Sequence, residues 1–268
     1  AFAICARFER AMSDPEKKVL PHPVLPEYFD DEASRVETVS HMFDESAKYY
    51  DRINNIMSFG SGVWYRNQAL RRSGLENGKK VIDVGCGTGV VAHEAQKIVG
   101  DAGEVLAVDP SPEMLKQAEQ RGVKHTKIGR GESLPADDGH YDLLTMGYAL
   151  RHVPDLRLAF DEYKRVLKPG GSVLLLEISQ AETAIGKVFL AFYMRFLVPF
   201  LTFLVTWDRT SYKLMKYYWQ TIKHCVPPKK IVATLEQAGF EQVTRHKVMG
   251  IFSEYRGVKP ATKDAVDV

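Results

Sequence analysis

Short apolar runs alternate with stretches of helical spacing from about Lys79 onward. Five runs read as strands, and the segments behind the first, second and fourth have apolar residues at the spacing of an amphipathic helix. The strand runs are "KKVIDVG", "GEVLAVD", "VKHTKIG", "YDLLTMGYA" and "SVLLLEIS"; the helical segments are "VVAHEAQKIVG", "SPEMLKQAEQRG" and "DLRLAFDEYKRVLKPGG". Strands that are apolar on both faces and alternate with helices predict an α/β fold with a parallel sheet wound on both sides.

The residues before Lys79 and those near the other end of the chain add further predicted helices and strands to this domain. Helices are predicted from Ser34 to about Asn55 and over Val63–Arg72, and residues 13–40 are polar and rich in proline, which indicates an extended arm. Near the other end, "PPKKIVATLEQAGF" predicts a helix and "EQVTRHKVMGIFSEYRGVK" two strands joined near Gly250. We therefore predict an arm over 1–40, whose first eleven residues carry no function, one domain over 41–260, and a tail over 261–268.

One segment is far more apolar than the rest: "KVFLAFYMRFLVPFLTFLVTW", Lys187–Trp207, is long enough to cross a bilayer. A crossing is disfavoured because the strands on either side of it must join the same sheet, and because Arg195 and Pro199 interrupt the run. We predict a hydrophobic helical lid inserted over about 182–225, covering a lipophilic substrate and partly contacting a bilayer. A pair of buried core helices is the alternative.

Composition narrows the class of protein. Of 268 residues 45% are hydrophobic and 26% charged, as in a soluble globular protein, and a net charge of +2 gives no case for a nucleic-acid partner. Three cysteines (Cys5, Cys86, Cys225) and eight scattered histidines fit no metal spacing and predict reduced thiols, no metal site and a cytoplasmic location.

The turn after the first strand carries three glycines, Gly85, Gly87 and Gly89. A dinucleotide fingerprint requires its third glycine at Val90, and a phosphate-binding loop requires a lysine after the last glycine. The loop therefore fits neither class well, and a tight turn without a ligand remains an alternative. Asp109 ends the second strand about twenty residues later, where a carboxylate can accept both hydroxyls of a ribose; the alternative role, capping the next helix, is already filled by Ser111.

Taken in order, these motifs resemble those of class I S-adenosylmethionine-dependent methyltransferases. The motifs are "VIDVGCGTG", "VLAVDPSPEML", "GESLPADDGHYD", "ALRHVPD" and "RVLKPGGSVLLLE". Three further stretches are similar to the ubiquinone/menaquinone-biosynthesis C-methyltransferases: "FDESAKYYDRINNIMSFG", "YALRHVPD" and "EYRGVK". The resemblance runs from Phe43 to Lys259 and implies a Rossmann-like fold with a mostly parallel seven-stranded sheet, helices on both faces, N-terminal helices and the lid after the fifth strand.

The resemblance also implies that the chain binds S-adenosylmethionine and releases S-adenosylhomocysteine. Within that implied site, Asp83 orients the loop or the ligand's ammonium, and Asp109 holds the ribose. The other implied cofactor residues are Gly85, Gly87, Thr88 and Gly89 at the methionine end, Pro110 and Met114 against the adenine, and Arg130 and Gly131 near the adenine amine. Two positions depart from the family pattern: Arg130 replaces an Asn or Asp, which leaves backbone recognition there, and Gly147 stands where the family often has Ser.

Carbon methylation of an electron-rich ring requires a neighbouring hydroxyl to lose its proton, so a base or a stabilising charge is expected in the pocket. The resemblance implies that Arg151 has this role. It is followed by His152 where the quinone family has Asn. His152 is either the base, since an imidazole titrates near neutral pH, or a packing residue beside the cofactor. Arg151 could instead form a salt bridge with Asp155 or a neighbouring helix. Tyr50 matches the family's pocket tyrosine, although the adjacent Tyr49 leaves the choice open.

The leading hypothesis is a methyltransferase that acts on a lipophilic aromatic acceptor, a prenylated quinol precursor, at carbon. One alternative is a methyltransferase of phenolic secondary metabolites acting on carbon or oxygen. Another is a catalytically silent scaffold of a membrane-edge biosynthetic complex, which the intact glycines and Asp109 disfavour. A nucleic-acid methyltransferase would need a different loop after the fourth strand. A peripheral location at the inner membrane surface and a homo-oligomer are both compatible with the sequence.

Overall fold

A computed structural model describes residues 18–23, 32–181 and 183–261, with the side chains of 32–37 left out. The first eleven residues and nearly all of the predicted tail lie outside these ranges. The described part of the arm lies against the domain, because the backbone of Val19 accepts a bond from Leu156 N (2.9 Å) and donates to Asp155 Oδ1 (3.3 Å). The first helix begins at Glu32, within the stretch that we assigned to the arm.

Seven strands form one sheet in the order β3-β2-β1-β4-β5-β7-β6. Strands β1 to β5 are parallel to one another, and β7 is antiparallel to both β5 and β6. This confirms the predicted fold class. The strands are β1 Lys80–Val84, β2 Glu104–Asp109, β3 His125–Ile128, β4 Tyr141–Gly147, β5 Leu167–Ile178, β6 Glu241–Val248 and β7 Phe252–Val258.

The helices follow the predicted order, with short turns between some of them. They are α1 Glu32–Met57, α2 Gly62–Arg72, α3 Val90–Val99, α4 Pro112–Gln120, α5 Leu156–Val166, α6 Ala184–Phe192, α7 Val198–Thr206, α8 Arg209–His224 and α9 Pro228–Gln237. A 3-10 turn covers Leu150–His152, and a π-helical turn, Tyr193–Leu197, joins α6 to α7. Ser111 caps α4 as predicted, since its Oγ accepts a bond from Met114 N at 3.1 Å.

One boundary differs from the prediction. The helix that we expected to end in a Pro-Gly-Gly turn ends at Val166, and the residues "KPGG" belong to the start of β5 instead of a turn. Proline disfavours the helical conformation in the residue before it, so Lys168 cannot easily continue the helix. The pairing of β4 with β5 shifts register here, between Tyr141 and Leu143.

Alternate residues of the central strands point to opposite faces of the sheet and bury two separate cores. Ile82, Leu144 and Leu175 belong to one core, with α5 and α9; Val81 and Leu143 belong to the other, with α2, α3 and α4. Both faces are covered, which explains why the strands read as continuous apolar runs.

A third core lies between α1 and the helices that follow β5. It contains Ile53 of α1, Leu190 and Met194 of the apolar segment, and Leu214 of α8. The continuous helix Ala184–Thr206 has the length and hydropathy to cross a membrane, and it is the one such helix among the described residues. Only 28% of its most apolar stretch is buried inside the protein. The alternative of a buried helix pair is therefore wrong, because much of the apolar surface faces outward.

Candidate active site

A cavity opens at the carboxyl ends of β1, β2 and β4, the edge where parallel sheets bind ligands. Together with the open space at its mouth, the volume between its walls is about 1210 Å³. The glycine loop and the ends of β2 and β4 form one wall. Residues of α1, the 3-10 turn and α8 form the other.

The glycine loop needs glycine at two positions for different reasons. Gly85 has φ +63°, and a Cβ there would lie 2.6 Å from the Cβ of Ala149. Gly87 has φ +54°, and a Cβ would meet only the Tyr50 ring, at 3.9 Å, across the cavity. Both favour glycine through a left-handed backbone, and at Gly87 the absence of a side chain opens the backbone to a ligand. This is a cradle that fits the methionine end of the implied cofactor.

Gly89 lies outside the cavity lining. Its φ is +76°, and a Cβ would lie 2.8 Å from Ala118 Cβ and 2.8 Å from Val123 Cγ2. This glycine allows the start of α3 to pack closely against α4 and the residues after it. Of the four loop positions implied by the resemblance, the structure brings Gly85, Gly87 and Thr88 to the cavity and gives Gly89 a packing contact instead.

Asp109 ends β2 on the cavity wall, where it is 7% exposed. Its two carboxylate oxygens accept bonds from Gly87 N (2.8 Å) and Ser111 N (2.9 Å). One bond to each oxygen leaves lone pairs for two hydroxyl donors, which fits a ribose. Burial raises the pKa of Asp109 to about 6, and the two backbone donors oppose that rise.

Asp83 is fully buried beneath the loop. Its carboxylate accepts bonds from Thr145 Oγ1 (2.7 Å) and Ala92 N (3.1 Å), so it ties the loop to β4 and to the first turn of α3. Burial raises its pKa to about 7. Thr88 donates to Asp51 Oδ1 at 2.6 Å and thereby joins the loop to α1.

On the adenine side of the implied site, Gly131 is required by packing, since a Cβ there would lie 2.8 Å from Tyr163 Oη. Beside it, buried Glu132 Oε1 accepts no hydrogen bond within the described residues, which fits the amino group of an adenine as donor. The side chain of Arg130 is exposed. Pro110, Met114, Arg130 and Gly147 also line the cavity.

Aromatic side chains form the opposite wall. Tyr50 of α1 and Tyr218 of α8 are hydrogen-bonded, with 2.5 Å between their hydroxyl oxygens, and Phe43 packs edge-on against both rings. Tyr50 lines the cavity and Tyr49 does not. Burial raises the pKa of both hydrogen-bonded tyrosines, so both hydroxyls keep their protons at neutral pH.

Arg151 is fully buried and does not reach the cavity. Its guanidinium carbon lies 5.1 Å from the centre of the Tyr218 ring, and its Nε lies 3.4 Å from Glu177 Oε1. Glu177 on β5 is thus its ion-pair partner, where we had considered Asp155 or a helix. Asp155 instead caps α5 by accepting a bond from Arg157 N at 2.9 Å.

His152 lines the cavity beside Arg151. Its ring packs edge-on against Phe43, with centroids 5.1 Å apart, and lies 5.8 Å from both Tyr217 and Tyr218. This position suits either role that the sequence left open, a base facing the acceptor or a packing residue among aromatic rings.

Three functional candidates were missed at the sequence level. Tyr218 lies far from the motifs in the chain. Glu177 is the last residue of "RVLKPGGSVLLLE", but nothing in its spacing indicates the site. Arg66 of α2 lines the cavity, donates to Gly62 O at 3.0 Å and lies over the Tyr148 ring at 4.7 Å. Its position in an ordinary amphipathic helix gave no signal. Of the lid predicted over about 182–225, α8 covers the cavity together with α1, whereas the apolar helix Ala184–Thr206 contributes no lining residue.

Comparison with known proteins gives a consistent result. A model of the ubiE/COQ5 methyltransferase family matches residues 31–259. A demethylmenaquinone methyltransferase of Staphylococcus aureus is 33% identical over 234 residues, which cover 85% of this chain and 96% of that protein.

Two solved structures share the fold. A SAM-dependent methyltransferase of Thermotoga maritima, described as a possible histamine N-methyltransferase, aligns with a TM-score of 0.59 and 21% identity over 82% of this chain and 99% of that one. Phosphoethanolamine N-methyltransferase 2 of Haemonchus contortus, in complex with S-adenosyl-L-methionine, aligns with a TM-score of 0.52 and 16% identity over 74% of this chain and 53% of that one.

Proposed function

Because this chain belongs to the ubiE/COQ5 methyltransferase family and is a SAM-dependent methyltransferase, we propose that it methylates a ring carbon of a prenylated quinol precursor. S-adenosylmethionine supplies an electrophilic methyl group on its sulfonium. The overall reaction replaces a ring hydrogen by that methyl group and releases S-adenosylhomocysteine and one proton. The acceptor must be a reduced, electron-rich ring, because the carbon that attacks needs electron density from a neighbouring oxygen.

The cofactor half of the cavity has a donor or acceptor for each part of the cofactor. Asp109 accepts the ribose hydroxyls, Gly87 admits the methionine end, and Glu132 accepts from the adenine amine. Arg66 is the one arginine side chain on this wall besides exposed Arg130, within the described residues. We assign it to the cofactor's carboxylate, which prefers a guanidinium partner.

The hydrogen-bonded pair Tyr50–Tyr218, backed by Arg151, is the observation that carries the proposal for the acceptor. Within the pair one phenol donates its O–H to the other, so one O–H remains that can donate a hydrogen bond to an acceptor oxygen as its charge develops. Arg151 acts through Tyr218 because it has no access to the cavity; it is a positioning residue that polarises the tyrosine pair. His152 faces the same space and is the proposed base for the acceptor hydroxyl, directly or through a water.

A lipophilic acceptor fits the aromatic wall and the outward-facing apolar helix beside it. The proposed location is therefore the cytoplasm, at the inner surface of the membrane that holds such an acceptor. We expect the prenyl tail to remain in or near the bilayer while the ring enters the cavity.

The test is an assay of the purified chain with radiolabelled S-adenosylmethionine. Acceptors would be reduced naphthoquinones and benzoquinones with a short prenyl tail, the same compounds in oxidised form, and unprenylated phenols as the matched controls. Mass spectrometry of the product locates the label on carbon or oxygen.

We expect label on a ring carbon of a reduced prenylated acceptor and none with the oxidised form. Label on a phenolic oxygen, or faster turnover of the unprenylated phenols, would favour the secondary-metabolism alternative and overturn the proposal. Tight binding of S-adenosylhomocysteine without label in any acceptor, including a lipid extract of the source cells, would favour the scaffold.

A further inference from the structure

The helix that continues from α6 to α7 has one buried and one exposed apolar face. Leu190, Met194 and Val198 pack into the core shared with α1 and α8. On the other side, large apolar residues are exposed at intervals of three or four positions, as along one face of a helix. They are Ile185, Val188, Phe189, Phe192, Phe196, Phe200, Leu204 and Trp207. Phe192 and Phe196, near the middle of this row, are 58% and 57% exposed.

A second element extends the same surface. Phe59, in the turn between α1 and α2, is 80% exposed, and its ring lies 5.7 Å from Tyr193, which itself stacks with Phe189 at 6.4 Å. Exposed Val63 and Trp64 follow at the start of α2. Two separate parts of the chain therefore present one apolar surface, the docking face, defined as the exposed row on α6 and α7 together with Phe59, Val63 and Trp64. Soluble proteins rarely expose apolar patches of this kind unless they bind something.

The charges along the segment that carries the exposed row are almost all positive. Between residues 183 and 224 the chain has one acidic residue, Asp208, and six exposed basic ones: Lys187, Arg195, Arg209, Lys213, Lys216 and Lys223. Aromatic and aliphatic residues beside exposed lysines and arginines complement the surface of a bilayer that contains anionic lipids. A second copy of the chain would bring like charges together.

The helix is held parallel to the body of the protein. Tyr193 Oη donates to Met57 O at 3.1 Å, at the end of α1, and α8 returns along α1 directly after α7. A helix attached along its length in this way cannot also cross a bilayer without losing its buried face. Asn54, which lines the cavity, lies one turn before Met57 on α1, so the docking face adjoins the side of the cavity formed by α1.

We propose that the docking face binds the surface of an anionic bilayer, with its aromatic side chains inserted at the interface and its lysines and arginines at the lipid phosphates. This places the α1 side of the cavity at the bilayer surface. The docking does not depend on which acceptor is methylated, and each experiment below is independent of turnover.

Sedimentation with vesicles tests the proposal, using phosphatidylcholine alone and phosphatidylcholine with about a third phosphatidylglycerol. The unaltered protein should sediment with the anionic vesicles and much less with the neutral ones. Phe192→Ser/Phe196→Ser should lower the partition coefficient at least tenfold, since two inserted rings are lost. The matched control Ile128→Ser removes an exposed apolar residue from β3, at the edge of the sheet, and should bind vesicles normally.

Two double variants measure how much the lysines contribute to vesicle binding. Lys213→Gln/Lys216→Gln should lower binding to anionic vesicles by about fivefold per lysine, the scale for one basic residue near such a surface. Lys116→Gln/Lys124→Gln, two exposed lysines near the β3 edge, should have no effect. S-adenosylhomocysteine affinity and the melting temperature report whether each variant is folded.

A direct measurement on the unaltered protein covers the case in which a variant fails to fold. Lipids brominated near the headgroup should quench the fluorescence of Trp64 and Trp207. Absence of sedimentation with anionic vesicles, absence of quenching, or full binding by folded Phe192→Ser/Phe196→Ser would overturn the proposal. Retention of the protein in membranes at alkaline pH would also overturn the proposal, because it indicates a spanning helix. A dimer would do so as well if Phe192→Ser/Phe196→Ser dissociated it and left vesicle binding unchanged.

Discussion

The two halves of the cavity are built in different ways. The cofactor half is a continuous loop after β1 together with the end of β2, and its carboxylate, Asp109, is held by backbone N–H groups of Gly87 and Ser111. The acceptor half is an assembly of side chains from α1, the 3-10 turn and α8, with a buried ion pair behind them. In the proposed complex the first half combines the glycine backbone with a carboxylate held by backbone donors, and the second uses aromatic side chains.

This difference has a consequence for specificity. A backbone cradle at the end of a parallel sheet depends on fold and glycine placement, so it can be retained while the opposite wall changes. The acceptor wall depends on a few side chains whose substitution leaves the sheet intact. Variants in the two halves should therefore separate cofactor binding from turnover.

The largest effect is expected at the buried ion pair of the acceptor half. Arg151→Ala leaves the Glu177 carboxylate buried without its partner, and we expect the free energy of unfolding to fall by about 3–5 kcal/mol. Arg151→Met/Glu177→Leu should recover most of that loss because neither charge remains. Denaturant unfolding measures both, and turnover of the double variant isolates the electrostatic role of Arg151. Unfolding of Arg151→Ala at the unaltered midpoint would contradict the expectation.

Asp109→Ala should lower the affinity for S-adenosylhomocysteine by roughly 100-fold or more. Two hydrogen bonds to a charged group are lost, each contributing about 1.5–3 kcal/mol, and the backbone donors of Gly87 and Ser111 lose their acceptor as well. Calorimetric titration measures the change. The control, Asp137→Ala, removes an exposed carboxylate and should bind normally; a decrease of only a few fold at Asp109 would mean that the ribose is held elsewhere.

Tyr218→Phe and Tyr50→Phe each remove one hydroxyl of the acceptor wall. We expect kcat to fall roughly 100-fold, the scale for one preorganised donor, while S-adenosylhomocysteine affinity stays unchanged. Tyr49→Phe is the control, because Tyr49 does not line the cavity. Equal losses of affinity and turnover would show that the two halves are not separable.

The affinity for S-adenosylhomocysteine should depend on pH through the cofactor half. The ribose hydroxyls bind the ionised carboxylate of Asp109, whose pKa in the free protein burial raises to about 6. Affinity should therefore be constant well above this pH and fall by about tenfold per unit below it, with a second contribution near 7 if Asp83 must also be ionised. The free energy of unfolding of the ligand-free protein depends on pH in the opposite direction. Because burial raises both pKa values in the folded state, these two groups stabilise the fold at low pH, and that contribution is lost as the pH rises through about 6 and 7. Titrations across pH test this dependence, and Asp109→Asn should remove the component near 6.

The smallest effect concerns Arg66. Arg66→Gln should weaken binding of S-adenosylhomocysteine by about tenfold, as expected for loss of one charge-assisted hydrogen bond, and should leave binding of 5′-methylthioadenosine unchanged because that compound has no carboxylate. Arg71→Gln, on the exposed side of α2, serves as the control. Equal weakening for both ligands would assign Arg66 a structural role.

The same contrast explains what could be predicted from sequence. The alternation of strands and helices, the cap at Ser111 and the positions of Gly85, Gly87 and Asp109 follow from local patterns, because a loop after a strand stays at the end of that strand. The start of β5 was placed too late because Pro169 and its glycines are compatible with both a turn and a bulged strand start. Gly89 looked like its two neighbours in the loop, and only the approach of α4 distinguishes it.

Tyr218 and Glu177 could not be predicted, since each reaches the site through tertiary packing across long stretches of chain. The sequence did not indicate which face of the apolar segment would be covered either. That depends on α1 and α8, whose contacts with Leu190, Met194 and Val198 bury one side and leave the phenylalanines on the other.

The position of β7 also affects how the protein is made. This strand is inserted between β5 and β6, so the sheet is complete only after residue 258 has left the ribosome. At about 5–20 residues per second, the nascent chain has an open β5 edge for several seconds. An unpaired edge strand is a template for aggregation, and the apolar row of α6 and α7 is already synthesised by then. We therefore expect the yield of folded protein to rise when a chaperone or a membrane surface covers these two features during translation.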